Sequence, residues 1–319
     1  MEILDTNSKQ CKVLINDGKK YVIRYPRKIG MHVEYYRSTP EDEIIEILQN
    51  HNVKVPKVLY KGGNYSIQEY IEGQLLADKY EDHKDIDRDI INQIVEQICL
   101  LATIDGKELL KYVNWNNNSS YYEFQCQNTE IIFRSYYRNL KQLCDNLNIS
   151  PEIFAHLCNK GAKISNDRAM CIIHGDRHKK NAILSDNGEL TFIDWKLGCI
   201  GDIAYDVAFH LHQMAYTESD EGYFLDRLKS NFKGDSEKLL SDVELYRLFI
   251  LVRSTLYHVY WTDLAYQGNN KMERKKQLGQ RRYNKLSQYK EFNLHSKTER
   301  KLDQIFEEYR KSLKKQERR

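Results

Sequence analysis

A cluster of oxygen-bearing side chains stands out in the middle of this sequence. Asp176 ends the tripeptide His-Gly-Asp, Asn181 follows it by five residues, and Asp194 closes a later apolar run. Carboxylate and amide oxygens of this kind suit a proton-accepting base and the ligands of a divalent cation. The stretch therefore predicts a polar site for metal-assisted chemistry, with an ordinary polar hairpin as the alternative.

The apolar runs around these residues predict the elements that position them. The run 171–173 is expected to be a strand that delivers the first aspartate to a loop. Residues 183–184 and 190–193 are expected to pair as a β-hairpin, because Asn187-Gly188 suits the tight turn between them. The polar site would then lie at one end of a small β-ribbon.

The N-terminal region begins with a predicted β-hairpin over residues 12–25, because Asp17-Gly18 stands between two runs of strand-forming residues. Arg24 alternates with Ile23, so its side chain would project from the opposite face of the strand. Arg24 could contact whatever lies beneath this strand, or it could be an ordinary exposed strand arginine.

A helix and two more strands are predicted to complete this region. The helix would begin near Pro40, where the acidic residues 41–43 complement the dipole of its first turn. One of these carboxylates could instead orient Arg24. An edge strand is expected over 53–60, since a proline is tolerated there, and a last strand is expected over 65–71.

The pattern becomes helical from Asp78 onward. Apolar residues recur at helical spacing over 86–101, and 239–261 predicts a helix that is apolar on several faces and hence buried. The aromatic-rich and amide-rich residues that follow 112 predict a loop at 114–120 and a helix from about 129. A β-rich part followed by a helical part makes the predicted fold class α+β.

The composition of the chain narrows the classes of function. Its 49 basic and 46 acidic residues nearly cancel, which gives no general case for binding nucleic acid. The basic segment 271–285 predicts either a solvated helical face or a patch that binds phosphate or nucleic acid. Seven cysteines without a Cys-x-x-Cys pair, no N-terminal signal and no apolar run of membrane length predict a reduced, cytoplasmic protein.

These motifs resemble those of the aminoglycoside phosphotransferase and choline kinase superfamily. The resemblance rests on His174-Gly175-Asp176 with Asn181, on Ile193-Asp194-Trp195, and on Gly201-Asp202 followed by Asp206-Val207-Ala208. It implies a bilobal protein-kinase-like fold with a small β-rich N-lobe, residues 1–72, that binds the nucleotide. A larger, mostly helical C-lobe, residues 73–319, would carry the catalytic loop, the metal site and the acceptor pocket.

The resemblance also implies a role for each residue of the polar cluster. Asp176 would be the catalytic base that accepts the proton of the acceptor hydroxyl. Asn181 and Asp194 would hold a Mg²⁺ ion that bridges the phosphates of ATP or GTP. Asp206 would support the catalytic loop, and Lys179 would either stabilise charge on the transferred phosphoryl group or be a surface lysine.

The N-lobe is expected to supply further nucleotide contacts. Arg24 would pair with the α and β phosphates, and Glu41 is its expected carboxylate partner, with Glu43 and Glu34 as the alternatives. The backbone carbonyl of Glu69 and the backbone amide of Ile71 would bond the edge of the base. These roles are implied by the resemblance.

The sequence predicts a phosphotransferase that moves the γ-phosphoryl group of a nucleoside triphosphate to a hydroxyl of a small molecule, as aminoglycoside phosphotransferases do. A choline or ethanolamine kinase-like activity is the alternative that Arg24 favours, and a protein kinase or a non-catalytic nucleotide-binding module are others. The acceptor is expected to contain an amine, which carboxylates and aromatic faces would bind. The candidates are Glu218, Asp220, Glu221, Tyr257, Tyr260, Trp261, Asp263 and Tyr266.

Overall fold

The computed structural model describes residues 1–6, 11–25, 40–82, 84–109, 169–247 and 249–250. The chain forms two compact units, of which the first comprises residues 1–117 and 166–243 and the second 118–165 and 244–319. The polar cluster and the N-terminal region belong to the first unit. The predicted lobe boundary after residue 72 stays a prediction, and the features predicted at 114–120, from 129, and at 257–285 lie outside the described residues.

The N-terminal part of the first unit is an antiparallel sheet of five strands. The strands are β1 (Glu2–Asp5), β2 (Cys11–Asn16), β3 (Lys19–Arg24), β4 (Val58–Lys61) and β5 (Ser66–Glu69). Their order in the sheet is β1-β2-β3-β5-β4. The turn between β2 and β3 has positive φ at both Asp17 (51°) and Gly18 (74°), as a two-residue hairpin turn requires. The predicted first hairpin is therefore confirmed.

Helix α1 (Glu41–Asn50) lies between β3 and β4 along the chain. Three acidic residues occupy its first turn, as predicted, and the side chains that it buries are Ile44, Ile45, Ile47 and Leu48. Pro40 stands at the N-cap, and no side chain caps the helix. The helix therefore depends on the packing of these apolar residues for its stability. The backbone carbonyl of Pro40 accepts hydrogen bonds from the backbone amides of Glu43 and Ile44 instead.

The predicted edge strand over 53–60 is only partly right. β4 begins at Val58, and residues 53–56 precede it outside any strand. Val53 and Val55 are buried there, and the Pro56 carbonyl accepts a hydrogen bond from the Gln49 side chain at 3.2 Å. Packing against α1 therefore takes these residues away from the sheet.

The rest of the described unit is mainly helical. The helices are α2 (Leu76–Lys79), α3 (Arg88–Leu101), α4 (Ile203–Met214) and α5 (Glu218–Asn231), and residues 236–247 are also helical. Helix α3 packs against α4 and α5, and it buries the residues that recur at helical spacing, as predicted. Among the described residues, none of the helices is long and apolar enough to cross a bilayer.

Short strands connect these helices and carry the polar cluster. They are β6 (Gln74–Leu75), β7 (Cys171–Ile173), β8 (Ala182–Leu184), β9 (Leu190–Phe192) and β10 (Cys199–Gly201). β7 pairs with β10, and β8 pairs with β9 and with β6. The predicted second hairpin is confirmed, with Gly188 at a positive φ of 82° in its turn. The fold class is α+β, as predicted.

Candidate active site

The loop between β7 and β8, residues 174–181, holds the first aspartate of the cluster at its surface. The Asn181 side-chain amide donates hydrogen bonds to the Asp176 backbone carbonyl at 3.0 Å and to its Oδ2 at 3.3 Å. His178 Nε2 lies 3.6 Å from the other carboxylate oxygen of Asp176. The Asp176 side chain keeps 24% of its surface exposed, so it is oriented and still open to an incoming hydroxyl group.

His174 stabilises this loop through the contacts of its buried ring. Its ring is fully buried and lies against the Trp195 ring, with 4.4 Å between the centroids. His174 Nε2 lies 3.1 Å from the Ile193 carbonyl, and its Nδ1 accepts the backbone amide of Asp176 at 3.3 Å. Burial, together with the nearby Arg177 charge, lowers the pKa of His174 to about 4. The neutral ring therefore carries its proton on Nε2 and connects the β7–β8 loop to the residue that follows β9.

Asp206, in the first turn of α4, binds backbone amides of the same loop through its side chain. Its carboxylate is completely buried and accepts hydrogen bonds from the amides of His174 (3.3 Å) and Gly175 (2.9 Å). Gly175 has a φ of 72°, and a Cβ atom there would lie 2.5 Å from the Leu197 carbonyl oxygen. This position therefore requires glycine.

Arg177 supplies the counter-charge for Asp206. Its Nε donates to the Asp206 carboxylate at 3.1 Å, and its guanidinium lies 4.3 Å from the centre of the Phe192 ring. Both side chains of the ion pair are fully buried. Since a buried carboxylate is costly without a charged partner, Arg177 is a structural member of the loop, which the sequence did not indicate.

Lys179 fits neither of its predicted roles. Its side chain is buried, and its ammonium contacts the Tyr80 carbonyl at 3.1 Å and the Asp82 carboxylate at 2.5 Å. It fastens the loop to the segment between α2 and α3, so the surface-lysine interpretation was wrong for Lys179. The neighbouring Lys180 is exposed.

Arg24, at the end of β3, is paired with Glu41 of α1. The guanidinium Nε and a terminal nitrogen reach the two Glu41 oxygens at distances of 2.8–3.0 Å. The Trp195 backbone amide donates to the same carboxylate at 2.9 Å. Burial raises the pKa of Glu41 against the effect of Arg24. The alternative partner Glu43 binds Lys61 instead, and Glu34 lies outside the described residues.

Asp194 joins this ion pair to the second hairpin. Arg24 also donates to Asp194 Oδ1, and the Lys196 ammonium lies 2.5 Å from Oδ2. Although burial alone would raise the pKa of Asp194, Arg24 and Lys196 lower it. Asp194 adopts a left-handed backbone with φ 64°, which aspartate tolerates better than most residues. Lys196 was missed by the sequence analysis, although it stands two residues after Asp194.

The expected base-binding segment begins at the last residue of β5, Glu69. The backbone amide of Glu69 donates to the Lys57 carbonyl at 2.8 Å, and its carboxylate accepts the Lys57 amide at 3.2 Å. Ile71 lies just beyond the strand and is half-buried. Contacts of Glu69 and Ile71 with a nucleotide base stay a prediction.

The comparisons with known proteins agree with this geometry. Residues 5–239 match the sequence model of the phosphotransferase enzyme family, APH. The chain belongs to this family. No curated protein matches the chain significantly.

Several solved structures share the fold of this phosphotransferase. The Plasmodium vivax ethanolamine kinase is 17% identical with a TM-score of 0.61, covering 90% of this chain and 80% of its own. The choline kinase LicA from Streptococcus pneumoniae is 18% identical with a TM-score of 0.54, covering 91% and 94%. The streptomycin–ATP–APH(2″)-IIa complex is 14% identical with a TM-score of 0.56, covering 80% and 85%.

These findings confirm the predicted superfamily and the protein-kinase-like fold. The chain is therefore a phosphotransferase, as predicted.

The oxygen donors of the site fit a magnesium ion. The Asn181 amide nitrogen is engaged by Asp176, which leaves the amide oxygen for a cation. The Asn181 carbonyl accepts the Ile193 amide at 2.9 Å, so Asn181 lies close to the segment that carries Asp194. Within the described residues, no group of three His, Cys, Asp or Glu side chains could hold a metal ion. A cation here would need phosphate oxygens to complete its shell.

Of the predicted acceptor-binding residues, the structure describes Glu218, Asp220 and Glu221. Asp220 is 2% exposed, and its carboxylate accepts the backbone amide of Ile86 at 2.8 Å. Asp220 therefore anchors α5 to the start of α3, and its proposed role in acceptor binding was wrong. Glu218 is exposed and Glu221 half-buried in the first turn of α5. The aromatic candidates and Asp263 lie outside the described residues.

Proposed function

We propose that this protein is a Mg²⁺-dependent phosphotransferase that moves the γ-phosphoryl group of ATP or GTP to a hydroxyl of a small, amine-containing molecule. The observation that carries the proposal is the joining of Arg24, Glu41 and Asp194 in one ion-pair network, beside an Asp176 held by Asn181. We also propose a cytoplasmic location, which is consistent with the use of a nucleotide.

Asp176 is the proposed catalytic residue. It accepts the proton of the acceptor hydroxyl and aligns the oxygen with the γ-phosphorus. Such catalysis depends mainly on positioning, which the contacts from Asn181 and His174 provide. Asn181 and Asp194 would hold Mg²⁺, which supplies charge neutralisation on the phosphates when it is bound.

Arg24 and the segment after β5 are the proposed nucleotide contacts. The planar fork of Arg24 suits bidentate recognition of phosphate oxygens, and Glu41 fixes its direction. The carbonyl of Glu69 and the amide of Ile71 would bond the base. These contacts involve the main chain, so they do not distinguish ATP from GTP by side-chain type.

The acceptor class has two candidates. An aminoglycoside-like acceptor is the first, and a choline-like or ethanolamine-like aminoalcohol is the second. Arginine rather than lysine at position 24 favours the second, whereas the structural likenesses include proteins of both classes. Both classes are cationic and carry a hydroxyl group that Asp176 can deprotonate.

A screen of acceptors tests this proposal. The purified protein is incubated with Mg²⁺ and ATP or GTP, and with aminoglycosides, choline, ethanolamine and other aminoalcohols, and phosphorylated products are detected by mass spectrometry. We expect one acceptor class to gain a phosphoryl group and the nucleotide to raise the Tm. No product with any acceptor would favour a non-catalytic module, and no change in Tm would in addition contradict nucleotide binding.

A further inference from the structure

Both carboxylate oxygens of Asp194 are already bound by cations of the chain itself. Arg24 contacts Oδ1, and Lys196 contacts Oδ2. Together with Glu41, these side chains form a cluster of two positive and two negative charges. The cluster is neutral, so a divalent cation that entered it alone would add an uncompensated charge.

The two cations are anchored very differently. The Arg24 side chain is 15% exposed, and Glu41 holds it with three contacts of 3.0 Å or less. Lys196 is 33% exposed, and in the described part of the chain its ammonium contacts only Asp194. Its flexible four-carbon stem allows other positions. When Asp194 takes a new partner, Lys196 is therefore the cation that can leave.

The triphosphate of a nucleotide changes this balance of charge. It brings several negative charges that offset a divalent ion, and its oxygens complete the coordination that the described side chains do not. A lysine displaced from Asp194 would then find phosphate oxygens nearby, since Arg24, the proposed phosphate contact, shares Asp194 with it.

We propose that Lys196 is a further phosphate-binding residue of this site, which covers Asp194 before nucleotide binds and moves to the polyphosphate when the metal and the nucleotide enter together. The inference rests on the proposed function, because it takes Asp194 as the metal ligand. It explains why a lysine stands beside a carboxylate that must bind a cation. It also makes metal binding depend on the nucleotide.

Direct binding measurements on the full chain test this role without relying on activity. Mn²⁺ is titrated alone and in the presence of a non-hydrolysable ATP analogue, with free Mn²⁺ followed by electron paramagnetic resonance, and analogue affinity is measured by calorimetry. In Lys196→Met, we expect Mn²⁺ alone to bind about tenfold more tightly and the Mn²⁺–analogue complex about tenfold more weakly. Lys196→Gln is expected to shift both affinities in the same directions.

Lys180→Met is the matched control, because it removes a lysine charge from an exposed position of the catalytic loop. We expect it to leave both affinities unchanged. The proposal is overturned if either affinity of Lys196→Met stays at the wild-type value, or if Lys180→Met shifts them equally.

Asp194→Asn separates this inference from the proposed function. If Asp194→Asn binds Mn²⁺ with the analogue as tightly as the wild type, Asp194 is not a metal ligand and the proposed function loses that residue. If Asp194→Asn weakens binding while Lys196→Met changes nothing, the role of Lys196 alone is refuted.

Discussion

At the scale of single residues, the position of Asp176 is determined by buried neighbours. His174 accepts the backbone amide of Asp176, and Asp206 accepts the amides of the two residues before it. Arg177 is the charged partner of Asp206. Breaking a buried ion pair of this kind typically costs about 3–5 kcal/mol, because one charge is left without a partner. The catalytic loop is therefore also one of the more stability-sensitive parts of the molecule.

The buried histidine of this loop predicts a pH dependence of stability. Burial lowers the pKa of His174 from 6.5 to about 4, so between these values the unfolded chain binds a proton that the folded chain does not. The free energy of unfolding should therefore fall as pH falls through this window, by roughly 3 kcal/mol from this residue. Urea unfolding of the wild type and of His174→Gln between pH 4.5 and 7.5 measures the effect.

His174→Gln should be less stable than the wild type at pH 7, and the difference should shrink toward pH 4.5. The glutamine can still donate to the Ile193 carbonyl and has no titrating ring. A difference in stability that stays constant across this range would show that His174 does not titrate as its burial implies.

Motif spacing was enough to identify some of these residues, whereas no pattern in the sequence indicated the contacts of others. Asp176, Asn181 and Asp194 stand at the spacing of a known motif, and the choice of Glu41 as the partner of Arg24 agrees with the structure. The contacts of Lys179 with Tyr80 and Asp82 and the burial of Asp220 could not be predicted. They join residues about 100 or more positions apart along the chain, and no local pattern records such packing.

At the scale of elements, the hairpins were predictable because their turns are specified by adjacent residues. Asp17-Gly18 and Gly188 show the positive φ values that their turns require. Strand β1 was missed because all of its residues are exposed, so no apolar alternation marks it. The start of β4 was misplaced because packing of Val53 and Val55 competes with strand pairing.

Gly18 and Gly175 have nearly the same backbone φ, so substitutions at these two positions separate the effect of conformational strain from that of close packing. Gly18 has a φ of 74° and open space where a Cβ atom would lie, whereas Gly175 has a φ of 72° and the Leu197 carbonyl oxygen 2.5 Å from that position. Gly18→Ala should lower the free energy of unfolding by about 1 kcal/mol through strain alone. Gly175→Ala should lower it by roughly 2 kcal/mol more and should also slow phosphoryl transfer.

Chemical unfolding and the rate with the identified acceptor measure these effects. Equal losses of stability in the two variants would mean that the approach of Leu197 to the catalytic loop contributes nothing.

At the scale of the whole molecule, the family match ends at residue 239, while the chain continues for another 80 residues to 319. The residues of the proposed chemistry, Asp176 and the ion-pair network, lie in the first compact unit. Tyr257 and Asp263, two of the acceptor-binding residues predicted from the sequence, belong to the second unit. A shared fold at 14–18% identity is compatible with several acceptors.

The most direct test of the account replaces the proposed base. Asp176→Asn keeps the size of the side chain, and Asp186→Asn makes the same change at an exposed turn position as the control. With the acceptor from the screen, we expect Asp176→Asn to lower kcat by roughly three orders of magnitude, while the Kd for nucleotide and the activity of Asp186→Asn stay unchanged. A kcat for Asp176→Asn within a few-fold of the wild type would contradict the central claim that Asp176 is the catalytic base.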